Sequence, residues 1–401
     1  MMRIKRDNNP ICRFQALPTD AFASIISVLI IYIFILILSS CKSNNINEEV
    51  IIIDVEKNYQ EKEIHLNQIA DIFYILTEDS LDFLYKGVPQ CITANTIVIQ
   101  DAISSDIMFF SRDGKAMSKF NKLGNGPNEF SYINTMIYDE NSDELFIVSG
   151  DRILVYSSKG EFIRTISLLE GSLITEIREF DNISFLIYDM AGKYRRNFSI
   201  ISKEDGRVLK PLELSQNSQL QMYIMEMDGN NLGMTVGPIN NIVMHENGFL
   251  LTDHSSDTVY LYRRNNSTMP ILVRIPQIQE MDPVIYLNTM VETSRYQFFQ
   301  SVKVKKLNNR LPSVSLVRDK SQNKIYKQKI ILSDFPEKKI EITPDCTSRT
   351  NDPKMGFFEL DIEELHDANE RGKLNGNLKK ISEHAKRINN NNNVYMFVHF
   401  Y

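Results

Sequence analysis

Ile107-Met108-Phe109-Phe110-Ser111-Arg112-Asp113-Gly114-Lys115 and Ile153-Leu154-Val155-Tyr156-Ser157-Ser158-Lys159-Gly160-Glu161 align without a gap, their glycines 46 residues apart at 114 and 160. In each copy an apolar run of strand-forming residues meets a polar turn ending in glycine, and a second strand-like run follows, which predicts a β-hairpin. A third copy, Phe198-Ser199-Ile200-Ile201-Ser202-Lys203-Glu204-Asp205-Gly206, keeps the same 46-residue step. A fixed period of about 40 to 50 residues that carries strands and no long helix predicts a propeller or a β-solenoid. Gly114, Gly160 and Gly206 are then expected in equivalent turns, the first two at least with the positive φ that glycine adopts without penalty.

The same reading extends in both directions. Val50-Ile51-Ile52-Ile53-Asp54-Val55 predicts a buried strand, and residues 64–76 a further strand region broken at Asn67-Gln68 and Ala70-Asp71. Gly124-Asn125-Gly126-Pro127-Asn128-Glu129-Phe130 reads as a loop between repeats. Its paired glycines do not make a nucleotide loop, because a Glu replaces the third glycine and Pro127 lacks the N–H a phosphate needs. A fourth copy follows at Gly248-Phe249-Leu250-Leu251 with Val259-Tyr260-Leu261-Tyr262, and a less regular fifth over residues 298–332. Residues 277–296 read as a short helix or irregular insertion. Residues 377–388 predict a helix, with Leu378, Ile381, Ala385 and Ile388 near one face. Five asparagines, 389–393, break it and lead into Val394-Tyr395-Met396-Phe397-Val398-His399-Phe400-Tyr401, apolar on both faces as a strand between neighbours must be. A repeat ring left open exposes two sheet edges. The last strand is therefore expected to pair with the strand near residues 51–55 or 64–76.

Composition narrows the function classes. Hydrophobic residues make up 43% and charged residues 24% of the 401, enough for a sizeable core. The formal charge is −6; Arg3, Lys5, Arg6 and Arg13 against Asp7 and Asp20 give residues 1–40 a net +2, which leaves −8 for residues 41–401. A mildly acidic body does not fit a nucleic-acid partner, which needs a basic face. Cys91 and Cys346 stand alone in the body, with no CxxC and no nearby His cluster, so zinc-ligand spacing is absent and buried free thiols are expected, with a bridge between them open in an oxidising compartment.

Residues 3–13 are basic, and residues 21–38 carry no charge over 18 positions, long enough to come close to spanning a bilayer. Leu38-Ser39-Ser40-Cys41 resembles the bacterial lipobox, in which small residues precede a cysteine that receives lipid before the leader is removed. This reading divides the chain into a signal peptide (1–40), a polar tether (41–49) and a folded body (50–401), with Cys41 as the lipid-attachment residue. Lys42 in place of Asp, by the same resemblance, directs the protein to the outer membrane, facing the periplasm or the cell surface.

The order of hairpin, GxGPxEF loop, "IYDENSDELFIV" and "ILVYSSKGEFIRTI" is similar to the six-bladed β-propeller lipoproteins of Gram-negative gut anaerobes. Agreement is densest from Val50 to Leu168 and thins after Asp205. The chain has Ile75-Leu76-Thr77-Glu78 where that family usually carries an Ile-Pro-Leu-Glu-Thr run. The resemblance implies an all-β, six-bladed propeller with a short C-terminal helical insertion, anchored to a membrane by lipid. That family is largely uncharacterised, so the resemblance implies a fold and an address and no activity.

Chemistry is sparser. The six histidines form no HxH or HxxxH pattern, no GxSxG elbow occurs, and no cofactor or metal motif is visible. Asp253 and His254, at the end of a buried-looking strand, are the best candidates for a ligand-binding group at the propeller's mouth, although a turn Asp capping its own backbone explains Asp253 equally. Trp is absent, which removes the strongest stacking platform for sugars. The expectation is a binding or interaction module for a small ligand, a glycan or an envelope protein. The alternative is a propeller enzyme of the glycan lyase, hydrolase or lactonase type, which three or more inward-facing carboxylates, Asn or His at one mouth would favour. A third reading, an inner-membrane sensor, requires residues 21–38 to remain uncleaved.

Overall fold

A computed structural model describes residues 50–401, apart from 81, 82, 195, 215–221, 229, 230 and 351 and the side chains of 227, 228, 231 and 232. Six sheets carry the fold, and each of the first three is a four-stranded meander. Blade 1 consists of Gly87–Ile92, Thr96–Asp101, Ile107–Ser111 and Ala116–Phe120. Blade 2 runs from Thr135–Asp139 to Phe162–Ser167, and blade 3 from Ile174–Asp181 to Val208–Pro211. Blades 4 and 5 begin at Ile242–His245 and Ile285–Glu292, and each gains a fifth strand from the N-terminal region. Blade 6 holds Met355–Leu360, Val394–Phe400 and Ala70–Leu76. A two-stranded hairpin, Tyr223–Asp228 with Asn231–Val236, stands between blades 3 and 4.

Strand alternation joins the blades. On Thr96–Asp101, Val98 packs towards Leu145 and Ile147 of blade 2, while Ile97 and Ile99 pack towards Tyr395 and Phe397 of blade 6. The same alternation gives one apolar cluster per blade boundary, six among the described residues, and the cluster between blades 6 and 1 closes the ring. A strand buried on both faces reads as an unbroken apolar run, which is why the copies were visible in the sequence.

The repeated glycines interlock the ring. Gly114, Gly160 and Gly206 sit in the turn between the third and fourth strands of blades 1, 2 and 3, at φ of 88°, 77° and 73°. Each presses on the outer strand of the preceding blade. A Cβ at Gly114 would lie 2.4 Å from the Leu76 carbonyl oxygen, and one at Gly206 2.4 Å from that of Ser167. In blades 4 and 5 the left-handed residue of the corresponding turn is Asn266 or Asn323, which tolerates that conformation. The glycine signature therefore fades after Gly206.

Closure follows the expected pairing: Val394–Phe400 runs antiparallel to Ala70–Leu76, with Val394 opposite Leu76 and Phe400 opposite Ala70. The asparagine run fastens this seam. Buried Asn390 donates to the Thr77 carbonyl (2.8 Å), and Asn392 to those of Glu78 (3.0 Å) and Phe83 (3.1 Å). Upstream, Ile51–Asp54 and Glu61–His65 lie parallel to the outer strands of blades 4 and 5. The N-terminal region thus crosses three blades before the first complete one.

Four expectations need correction. Ile51–Asp54 is an edge strand, with Ile53 inward and Ile52 exposed, because it has a sheet neighbour on one side alone. Residues 64–76 form two strands in different blades, joined by the 3₁₀ turn Leu66–Gln68. Within 277–296, only Ile278–Glu280 is helical, and Ile285–Glu292 is the inner strand of blade 5. Finally, the helical part of blade 6 is larger than one helix: α1 is Pro344–Thr347, α2 is Ile362–Glu370, and α3, Gly376–Ile388, is the predicted one. Residues 1–40, the tether 41–49 and Cys41 lie outside the described residues.

Candidate functional site

Asp253 and His254 follow the second strand of blade 4, where its chain end meets the hub, but both are buried. His254 Nε2 lies 2.7 Å from Asn288 Oδ1 and Nδ1 2.9 Å from the Asn241 amide nitrogen. One assignment satisfies both contacts: Nε2–H donates and Nδ1 accepts, so the ring is neutral. Burial pulls its pKa below the usual histidine value, against the opposing hydrogen bond to Asn288 and the charge of Asp253. Asp253 accepts from the Asn197 amide (3.2 Å) and the Ser255 N–H (2.9 Å). The pair pins blades 3, 4 and 5 to one another.

The groups that face the hub come from other strands. Glu176, on the inner strand of blade 3, accepts from the N–H groups of Asn241 (2.6 Å) and Ile242 (2.9 Å), where the inner strand of blade 4 begins. Burial raises its pKa, opposed by the charge of Arg178 and by those two N–H groups. Two residues on, Arg178 donates to the Ser348 carbonyl at 2.6 Å. Blade 3 stands opposite blade 6 in a six-bladed ring, so this guanidinium crosses the hub. Arg349 donates to Gln90 of blade 1, and its carbonyl accepts from the Ile92 N–H at 2.9 Å. Burial lowers the pKa of both arginines, and both remain charged. Among the described residues, buried Asn240 has no partner for either side-chain polar atom, and neither has Asn241 Oδ1.

Blade 6 departs from the others at the hub. Where they place an inner strand, it places α1 and the segment to Thr350, which bridges to Ile92 of blade 1. A turn of helix fills less of the gap than a strand. A cavity of about 510 Å³ remains, lined by Val88, Lys338, Glu341, Asp345, Arg349, Glu359 and neighbours. Several of its charges are engaged: Lys338 with Glu364, Glu341 with Ser315 Oγ (2.7 Å), and Glu359 with the Asn393 amide (2.6 Å). Burial raises the Glu359 carboxyl above the usual range. Cys346 on the cavity wall and Cys91 near the hub are free and buried, and burial pushes their thiols up to about 11 and about 12. Such thiols are poor nucleophiles at neutral pH.

Sequence reading missed Glu176, Arg178, Asn240 and Arg349. Ile174-Thr175-Glu176-Ile177-Arg178 alternates apolar and polar, the pattern of a strand with one wet face, and nothing in it says that the wet face is the hub. The adjacent Asn240-Asn241 was the one local hint. Among the described residues, no group of three or more His, Cys, Asp or Glu is placed to hold a metal ion, and no helix is long and apolar enough to cross a membrane.

A family profile described as a domain of unknown function, DUF4934, matches residues 50–399, nearly the whole described body. The chain belongs to the DUF4934 family. No curated protein matches it significantly. Among solved structures, the DUF4934 chain is similar to a Bacteroides fragilis protein described as exported, at 15% identity and a TM-score of 0.59, over 88% of this chain and 99% of that one. That likeness agrees with the six-bladed fold seen here. Weaker likenesses, which carry no argument, are to the WD40 domain of Neurospora crassa Pan2 (TM-score 0.34, 10% identity, 61% and 69% covered) and to virginiamycin B lyase of Staphylococcus aureus (0.32, 11%, 61% and 88%).

Proposed function

We propose that this propeller is a lipid-anchored binding module of the cell envelope, held to the outer membrane through Cys41 and taking a small ligand at its hub. The cavity beside α1 carries the binding half of this reading. It has the volume of a small-molecule site, about 300 to 1,000 Å³, and lies at the one blade whose inner strand is replaced. Asp253 and His254 stand outside the lining of this cavity; His254 holds Asn241 and Asn288 in place between blades 4 and 5. The uncharged run 21–38 followed by Ser39-Ser40-Cys41 supports the address, and the exported description of the Bacteroides fragilis protein agrees with it.

The binding half is tested by thermal-shift screening of monosaccharides, amino acids and dipeptides against the full chain and against Val88→Trp, which fills the cavity. A compound that stabilises the wild type and leaves Val88→Trp unmoved supports the reading. Stabilisation of both alike places the site elsewhere, and no stabilisation at all leaves an envelope protein as the partner.

The enzyme reading is kept for one observation: Glu341, Asp345 and Glu359 line the same cavity, and Glu359 has the raised pKa of a general acid. Under it, Glu359→Gln retains binding and abolishes turnover of a bound glycan. Loss of binding in that variant with no turnover by the wild type counts against it.

A further inference from the structure

Blades 1 to 3 distribute their exposed apolar side chains unevenly. Each is an antiparallel meander, so the turns between its first and second and its third and fourth strands lie at one end of the ring, the end of Gly114, Gly160 and Gly206. The turns between second and third strands, and the connections from blade to blade, lie at the other end. That other end carries Ile103, Leu123, Tyr132, Leu169 and Met190, which are 44% (Leu169) to 78% (Ile103) exposed. The glycine end of the same blades carries Ile183 alone among the described residues, while Met117, Phe162, Ile163 and Leu209 stand on outer strands at the rim. Single exposed apolar residues need no explanation, but five gathered at one end do. Hydrogen bonds link their segments into one arc. Asn121 donates to the Ser104 carbonyl (2.8 Å), the Gly150 N–H to Asn134 (3.2 Å), the Leu168 N–H to the Asp151 carbonyl (2.8 Å) and the Met190 N–H to the Leu173 carbonyl (2.9 Å). Residues 102–106, 121–134, 150–151, 168–173 and 190–197 together hold four basic and four acidic residues, so the arc has no net charge.

We propose that this arc is the surface on which the propeller rests against the bilayer that holds its lipid, with Ile103, Leu123 and Leu169 entering the acyl boundary and Tyr132 at the headgroup level. It rests on the anchor half of the proposed function. Nine residues, 41–49, span at most about 30 Å, so a body tethered through Cys41 keeps part of its surface next to lipid. The tether meets the body midway along the ring's height, since Ile51 lies opposite Leu272, inside the strand Thr268–Ile275. Either end is within reach from there, and the side chains decide which end settles. Apolar tips leave water on entering the interface, tyrosine favours that boundary, and a surface without net charge is not repelled by anionic headgroups. Tethering also raises the effective concentration of bilayer, so contacts too weak to hold a free body suffice. None of the five residues lines the cavity beside α1, so docking and ligand binding use separate groups.

The chain has no tryptophan, so a single introduced one reports alone. Leu123→Trp, Leu169→Trp and, as the control at the glycine end, Ile183→Trp are each made in the full chain. The processed proteins are reconstituted into phosphatidylcholine vesicles with or without bromine on the acyl chains. Flotation with the vesicles reads the anchor, and quenching by bromine, which needs near contact, reads the docking. All three variants are expected to float, with blue-shifted emission and loss of most fluorescence to bromine at 123 and 169 and neither change at 183. Adding Ile103→Asp to Leu123→Trp should remove the quenching and leave the flotation, because a carboxylate must lose water to enter beside the reporter. Two reporters on separate connections keep the test decisive if one variant does not fold. Flotation with both reporters unquenched, or with Ile183→Trp quenched equally or alone, overturns the proposal, leaves the anchor standing and frees the arc for a protein partner. Wild-type protein that does not float removes the anchor reading and this proposal with it.

Discussion

Gly114 carries two constraints that are separable by mutation. Its φ of 88° disfavours any side chain, and the Leu76 carbonyl oxygen would lie 2.4 Å from an added Cβ. Gly372 shares the first constraint alone, at φ 69° with nothing within 4 Å of such a Cβ. Gly372→Ala should cost about 1 kcal/mol in denaturant unfolding, and Gly114→Ala at least about 2 kcal/mol, because the blade 1 turn must also move off blade 6. Equal costs would mean that the contact is not part of the interlock. Glu292 offers a pH test. Burial would raise its carboxyl, but His245 (3.5 Å), Gln297 (2.7 Å) and Lys320 (2.9 Å) together outweigh burial and hold it down at about 2, against an ordinary 4.5. A depressed folded-state value stabilises above the ordinary value and is lost as pH falls towards the folded one. The stability gap between wild type and Glu292→Gln, on the order of 2 kcal/mol at neutral pH, should therefore close between about pH 4.5 and pH 2. Parallel stability curves for the two proteins would remove the assignment.

At the scale of elements, the last strand and the asparagines before it decide whether the ring closes. Asn392→Ala removes the donors to two part-buried carbonyls, those of Glu78 and Phe83, and should destabilise by about 1 to 3 kcal/mol, since water replaces those hydrogen bonds incompletely. Asn391 is exposed and bonds Asp79 at the surface, so Asn391→Ala should cost under about 1 kcal/mol. Denaturant midpoints for the two variants check this, and similar losses would mean that the run acts through composition and not through the seam. Deleting residues 394–401 strips the neighbour from both Met355–Leu360 and Ala70–Leu76 and should leave an insoluble or protease-sensitive product. A truncated chain that melts as cooperatively as the whole would place closure elsewhere.

For the whole molecule, the proposed anchor has its own test. A single acyl chain holds a protein marginally, whereas two or three hold it firmly, so loss of the thiol should change location altogether once the leader is cut. Cys41→Ala is expected to shift the processed protein from the membrane pellet to the soluble fraction. A variant that stays in the pellet, or wild-type protein whose mass includes residues 21–40, returns the uncharged run to the role of a transmembrane anchor.

Periodicity by itself determined the architecture, because a strand packed on both faces must be apolar throughout and its turn must supply a left-handed residue. The copies at 107–115, 153–161 and 198–206 carried both marks, and the final strand's two apolar faces announced that it lay between neighbours. The later turns carry Asn266 and Asn323 in place of glycine, which meets the same backbone demand with less contrast to the surrounding sequence. Where the N-terminal region would pair was narrower than chance and still open, since residues 51–54, 61–65 and 70–76 are all short β-prone runs and each joined a different blade. The site was decided by tertiary structure alone. Arg178 and Ser348 are 170 positions apart and meet only because blade 3 faces blade 6, while the cavity exists because Pro344–Thr347 turns as helix where five other blades have a strand. Local pattern records which residues face inward; the closing of the ring determines which of them share its centre.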